Sequence, residues 1–285
     1  MTSPISGQTQ VAGVVGAPVI HSLSPLIHNA WLRAANIDAI YVAFPVTDGG
    51  FSRFVLGARG GVLRGLNVTA PFKEAALDLA DSASPSAKTA GAANLLIFAR
   101  DGQICADNTD GAGLMQAFAL QAPGFEATTG PVAILGAGGA GRGAVAAFLA
   151  AGAPAVHLIN RSRPRAEAVA DRFGSRVKVF DLADWERGLV GVIAVINATT
   201  QGMGGQTPLA LDFRAAPDHA VAMDMVYRPL QTAFLQRAAA RGLVTVDGLG
   251  MLIGQAAPTF KALFGQEPPD LDVRSLCLKY LQALA

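Results

Sequence analysis

Residues Gly136-Ala137-Gly138-Gly139-Ala140-Gly141 place glycine at the first, third and sixth positions of a GxGxxG pattern. A strand-like run, Val132–Leu135, precedes them and a helix-like run follows, the context in which such a loop holds a dinucleotide. Gly136 permits the tight turn, Gly138 lets backbone approach a pyrophosphate, and Gly141 lets helix and strand pack closely. Free N–H groups at the helix start then meet the phosphates. An NAD site usually ends its next strand in a carboxylate for the ribose 2′-hydroxyl. Here residues 156–159 run instead into Asn160-Arg161-Ser162-Arg163-Pro164-Arg165. Cations at a helix start oppose the helix dipole, and a bound 2′-phosphate resolves that conflict. Arg161 and Arg165, with forked donors and full charge, are the expected phosphate ligands; Asn160 and Ser162 are smaller donors, and Arg163 points to solvent. NADP is therefore expected over NAD. Further on, Asn197, Thr199 and Met203 belong to a segment that suits a loop over the nicotinamide end, although an ordinary polar turn has the same spacing.

A second set of polar residues lies nearer the start. It comprises His21-Ser22-Leu23-Ser24-Pro25, the run from Asn67 through Thr69 to Lys73, Asn94, and Asp107-Asn108-Thr109-Asp110-Gly111. Small hydroxyls, amides, one lysine and one aspartate suit a polyhydroxylated ligand. Each has a plainer reading: Ser24 fits the cap of a helix, and Lys73 fits the exposed start of another. Their crowding just past strands favours the ligand, because open α/β sheets bind there.

Periodicity supplies the elements that must position these groups. Strands are expected at 11–16, 39–46, 63–68, 131–135, 155–159, 177–180, 191–196, 219–223 and 243–246, with a hairpin across 95–99 and 103–105. Helices are expected at 25–35, from 51 to 56, and at 71–80, 111–120, 140–150, 163–173, 231–241, 250–265 and 271–284. Alternating strands and helices imply an α/β fold with a mostly parallel sheet covered on both faces. Residues 121–130 carry proline and glycine with little periodicity, which places a boundary there. The expected domains are 1–120 for the substrate, 130–249 for the dinucleotide, and 250–285 as helices returning to the first.

Composition excludes several classes. The 285 residues are 51% hydrophobic and 15% charged, so there is ample apolar surface to order the chain. A net charge of +1 is too small for a non-specific nucleic-acid binder. Two cysteines and four histidines without metal-ligand spacing predict free thiols and no metal. The first ten residues lack a signal-peptide pattern, and no apolar run is long enough to span a membrane. A soluble cytoplasmic protein is expected, with monomer and homodimer both left open.

Taken together, these motifs resemble the shikimate dehydrogenase family. The resemblance is carried by His21-Ser22-Leu23-Ser24-Pro25, by Asn67 to Lys73, and by Asn108-Thr109-Asp110-Gly111. The glycine loop, the Asn160–Arg165 stretch and the 197–203 segment fit as well. So do Asp224-Met225-Val226-Tyr227-Arg228-Pro229 with Thr232, and Asp247-Gly248-Leu249-Gly250-Met251-Leu252 with Gln255. It implies an N-terminal α/β substrate domain and a Rossmann-type NADP-binding domain, with C-terminal helices packing back on the first. It also implies an NADP-dependent oxidoreductase acting on a CH–OH group: NADPH reduces 3-dehydroshikimate to shikimate in aromatic amino acid biosynthesis. Lys73 and Asp110 would be the catalytic pair. Ser22, Ser24, Asn67, Thr69, Asn94, Asp110 and Gln255 would hold ring hydroxyls and carboxylate, with Tyr227 near the substrate. Met225 and Gly248 would join the cofactor residues.

Some positions depart from the commonest family pattern: Leu95 after Asn94, Thr200 where serine is usual, and Leu263-Phe264-Gly265. The family also includes quinate-using and dual-cofactor enzymes, and one of these is the competing enzymatic reading. Ser24, smaller than threonine, leans toward shikimate. A non-catalytic NADP-binding sensor or scaffold is the reading from another class.

Overall fold

The apolar runs form two six-stranded sheets, seen in a computed structural model that describes residues 5–61, 63–203, 207 and 209–283. The chain divides into two units: one extends to Thr109 and resumes at Gln255, and the other is Asp110–Gly254. In the first lie β1 (Gln10–Gly16), α1 (Ser24–Ala34), β2 (Ala39–Pro45), α2 (Phe51–Gly57) and β3 (Leu63–Val68). They are followed by α3 (Lys73–Asp78), β4 (Ser82–Ala83), α4 (Pro85–Ala90), β5 (Leu95–Phe98) and β6 (Ile104–Asp107). The second unit holds α5 (Asp110–Gln121), β7 (Val132–Leu135), α6 (Gly139–Ala150), β8 (Val156–Asn160), α7 (Arg163–Phe173) and β9 (Val177–Asp181). It continues through α8 (Trp185–Gly188), β10 (Ala194–Asn197), β11 (Val221–Asp224), α9 (Ala233–Ala240) and β12 (Val244–Val246). The division falls inside α10 (Gly248–Phe264), and α11 (Val273–Ala283) groups with the first unit. The helix expected to reach Leu284 is described to Ala283; Leu284 lies outside the described residues.

The first sheet has the order β2-β1-β3-β5-β6-β4. Strands β2, β1 and β3 run parallel, β5 is antiparallel to both neighbours, and β4 is parallel to β6. Its core includes Val15, Phe51, Leu66, Val68, Phe72, Leu96 and Ile104, with Phe51 stacked on Phe72 at 4.5 Å. The second sheet, β12-β11-β10-β7-β8-β9, is parallel at every pairing. Successive residues of its strands face opposite sides. Val132 and Ile134 enter one core with Phe148, while Ala133 and Leu135 enter another with Leu235. Both faces are thus buried, which is why its strands read as unbroken apolar runs.

Three expectations need correction. The break comes at Thr109 and Asp110, not within residues 121–130, because α5 packs on α6. Leu114, Ala117 and Phe118 enter the second unit's core beside Phe148. A Cβ on Gly111 would stand 3.2 Å from the Ala147 methyl, so the two helices approach closely. Residues 250–254 also belong to this unit, with Gly254 against Gly113. Ser24 is the first residue of α1 rather than its cap; the Ser22 hydroxyl accepts from the Ser24 N–H at 3.2 Å. Finally, α4 lies where no element is expected. Its signals are local: Ser84 accepts from the Ala87 N–H, Pro85 starts the helix, and Gly91 ends it at φ +64°.

Candidate active site

Strand direction gathers the first unit's polar residues at one sheet edge. The ends of β1 and β3 lie on the same edge because the strands are parallel. Since β5 is antiparallel to β3, the residue before it, Asn94, falls there too. By the same alternation β6 delivers Asn108 and Thr109 to that edge. The turn after β3 is pinned to β1: Thr69 N–H donates to the Val15 carbonyl, and Ala17 N–H to the Ala70 carbonyl. Lys73 opens α3, and its carbonyl accepts from Ala93 N–H at 2.8 Å, which holds the start of α3 beside the Asn94 loop. Lys73 is half-buried, as are Ser22 and Thr69, while Ser24 is buried.

Behind this edge is a buried polar cluster. Asn94 Oδ1 accepts from Thr109 N–H at 2.8 Å, and its Nδ2 donates to Thr109 Oγ1 at 2.9 Å and to Gln255 Oε1 at 3.3 Å. Asn67 Nδ2 donates to the Asn94 carbonyl at 3.1 Å and to Thr259 Oγ1 at 3.4 Å. The Tyr41 hydroxyl donates to Asn67 Oδ1 at 2.6 Å. In a low-dielectric interior such bonds reinforce one another and fix the amides' orientation. Tyr41 stacks face to face on His28 at 4.2 Å, and burial pushes the tyrosine's pKa well above its ordinary value. His28 is fully enclosed, and burial lowers its pKa to about 3.

The structure therefore unites Asn67, Asn94, Thr109 and Gln255, and adds Tyr41 and Thr259, which the expected site omits. Thr259 had a readable signal, since it lies one turn past Gln255 on the same helix face. Tyr41 had none. Asp110, buried, opens α5 and is the first residue of the second unit; half-buried Tyr227 follows β11 in that unit.

In the second unit, the sheet order reverses between β7 and β10, the switch point at which open α/β sheets bind ligands. Gly136 lies there with φ +109°, a conformation that favours glycine. A Cβ on Gly141 would run into the Gly136 carbonyl, so helix and loop touch as expected. Around Gly138 nothing stands within 4 Å of where a Cβ would be, which leaves that backbone open to a ligand. Ala137 N–H donates to Asn160 Oδ1 at 3.3 Å, while Asn160 Nδ2 donates to the Ser162 carbonyl at 2.8 Å. Asn160 thereby joins the glycine loop to the arginine-bearing loop after β8.

The arginines there differ. Arg163 pairs with Glu167 at 2.8 Å and with Asp181 at 2.9 Å, rather than simply pointing to solvent. Arg161 and Arg165 are exposed and make no side-chain bond among the described residues. Asn197 is buried and already engaged: its Nδ2 donates to Asp224, and its Oδ1 accepts from the Thr199 N–H and hydroxyl. Met203 is 41% exposed, Met225 packs on the core, and Gly248 is buried. Among the described residues there is no cluster of three or more His, Cys, Asp or Glu suited to a metal, and no helix long and apolar enough to cross a membrane.

A parallel sheet with a glycine loop at its switch point, and free arginines after the next strand, defines a Rossmann-type NADP-binding unit. Residues 14–96 match the model of the shikimate dehydrogenase substrate binding domain, and residues 120–203 match that of shikimate / quinate 5-dehydrogenase. A shikimate dehydrogenase (NADP(+)) of Caulobacter vibrioides is 54% identical over 99% of each chain. Among solved structures, shikimate 5-dehydrogenase of Thermus thermophilus, in complex with NADP(H) and shikimate, is 35% identical. It superimposes with a TM-score of 0.82 over 91% of this chain and 95% of that one. Quinate dehydrogenase of Corynebacterium glutamicum in complex with NAD is 27% identical, with a TM-score of 0.85 over 96% and 99% of the two chains. The chain belongs to the shikimate dehydrogenase family.

Proposed function

We propose that this protein is an NADP-dependent shikimate dehydrogenase, reversibly reducing 3-dehydroshikimate to shikimate on the route to aromatic amino acids. The observation that carries this reading is the 54% identity with the NADP(+) enzyme of Caulobacter vibrioides along 99% of both chains. The second unit fits the cofactor: Gly138 is open, and Arg161 and Arg165 are available for a 2′-phosphate. Gly136 to Gly141 would line the pyrophosphate, with Asn160 and Ser162 at the adenosine ribose and Asn197, Thr199, Met203, Met225 and Gly248 toward the other end. When bound, the reduced nicotinamide supplies the hydride.

The chain's own groups do the rest. Hydride attack on a ketone builds negative charge on its oxygen. Cationic Lys73 stabilises that charge, the proton is delivered by Lys73 or by a water, and Asp110 orients Lys73 and accepts from a ring hydroxyl. Ser22, Ser24, Thr69, Asn67, Asn94 and Gln255 hold the remaining hydroxyls and the carboxylate, with Tyr227 beside the ring. Free thiols at Cys105 and Cys277 support a reducing, cytoplasmic location. Resemblance to the quinate enzyme favours a second reading with NAD, but identity to it is lower, and free arginines after β8 favour NADP.

Lys73→Ala tests the assignment. Its kcat with shikimate should fall on the order of 100-fold to 10,000-fold, with KM changed much less. Near-normal turnover in this variant would sink the catalytic role.

A further inference from the structure

Asp224, the last residue of β11, is 0% exposed, and no cation pairs with it among the described residues. A buried, unpaired carboxylate is an expensive way to fill space. Its donors show what it holds together. Oδ1 accepts from Asn197 Nδ2 at 3.1 Å and from Val226 N–H at 3.0 Å, and Oδ2 accepts from the Thr232 hydroxyl at 2.6 Å. These donors come from the end of β10, the turn after β11 and the cap of α9. Thr232 also accepts from Leu235 N–H, so the α9 cap and the carboxylate share one hydroxyl.

From Asn197 the chain of contacts continues. Asn197 Oδ1 accepts from Thr199 N–H at 3.1 Å and from its hydroxyl at 2.7 Å. The Thr199 methyl stands 2.9 Å from where a Cβ on Gly136 would be, so it packs directly on the glycine turn at the end of β7. On the other side, a Cβ on Gly248 would run into the Met225 carbonyl, so the turn held by Asp224 is pressed against the start of α10. One carboxylate thus ties together the segments around the switch point between β7 and β10. The arginine loop after β8 lies on the opposite side of the glycine turn. The half of a dinucleotide remote from the 2′-phosphate falls on the β10 side.

We propose that Asp224 is a positioning residue for the cofactor: through Asn197, Thr199 and the 225–226 turn it sets the wall that receives the nicotinamide half. This rests on the NADP-dependent reading. Thr232 is its partner, holding Oδ2 so that Oδ1 faces Asn197 and Val226.

The test compares two ligands by titration calorimetry: NADP+, and 2′,5′-ADP, which carries only the phosphorylated adenosine half. Asp224→Asn and Thr232→Val should weaken NADP+ about fivefold or more while 2′,5′-ADP stays within about twofold of wild type. Thr232→Ser, which keeps the hydroxyl, should restore NADP+ affinity. If Asp224→Asn fails to fold, the two Thr232 variants decide the matter. Unchanged NADP+ affinity overturns the proposal, and so does equal weakening of both ligands, which marks general loosening. Failure of the wild type to bind either ligand defeats the NADP reading and the proposal with it. Wild type that binds NADP+ but does not oxidise shikimate defeats the substrate assignment alone, and the two affinities still decide the role of Asp224.

Discussion

Replacing His28 with phenylalanine should flatten the acid side of the protein's stability profile. His28 is enclosed in the first unit between Tyr41, Trp31 and Phe260, and neither ring nitrogen has a hydrogen-bond partner among the described residues. Burial without a partner depresses its pKa from 6.5 to about 3. The unfolded chain therefore binds a proton that the folded chain refuses. With the folded pKa depressed, stability is complete above the unfolded value of 6.5 and is lost as pH falls toward 3. Integrated from pH 7 to pH 5, the loss is about 2 kcal/mol. For a chain of this size unfolding as one, that lowers the melting temperature by about 4 °C. Phenylalanine keeps an aromatic face against Tyr41 and cannot titrate. Any packing offset it introduces is the same at both pH values and cancels from the comparison. Urea unfolding followed by far-ultraviolet circular dichroism, at pH 7 and pH 5, measures both proteins. Carboxylates and His157, whose pKa burial also lowers, contribute equally to each. Wild type should lose about 2 kcal/mol more than His28→Phe. Equal losses would refute the reasoning and mean that His28 accepts a proton in the folded state.

Three further outcomes follow from the site. Arg161→Ala and Arg165→Ala should each raise the KM for NADP+ about tenfold or more and leave NAD+ kinetics nearly unchanged, because each loses a charge-assisted contact to the 2′-phosphate. Arg163→Ala should change the KM for NADP+ less than about twofold, since its guanidinium is engaged by Glu167 and Asp181; a larger change would reverse the assignment among the three arginines. Tyr41→Phe removes the 2.6 Å bond to Asn67 Oδ1 and should raise the KM for shikimate about fivefold, with the KM for NADP+ unmoved.

What was readable in the sequence was local. The glycine loop, the missing carboxylate after β8 and the apolar runs of the second sheet are each contained in a few adjacent residues. The break between units was not local. Apolar α5 reads as a helix of either unit, and only its packing against α6 decides. Ser24 looked like a cap because it precedes a proline, but the hydroxyl two residues earlier takes its backbone N–H. The clusters around Asn67 and Asp224 were hidden for a different reason. Tyr41, Asn67 and Thr259 are far apart along the chain and meet through side-chain hydrogen bonds that leave no periodic trace. Asp224 was visible as part of a family signature, yet its role depends on which three donors the fold brings to it.

The most direct test is the initial rate of nicotinamide reduction with shikimate or quinate against NADP+ or NAD+, the four pairings run side by side on the purified protein. The shikimate–NADP+ pair should be fast and the other three at least about tenfold slower in kcat/KM, as expected of exposed Arg161 and Arg165 for the 2′-phosphate and of Ser24, whose small side chain leans toward shikimate. Comparable rates with quinate or with NAD+, or no turnover in any pairing, would contradict the account.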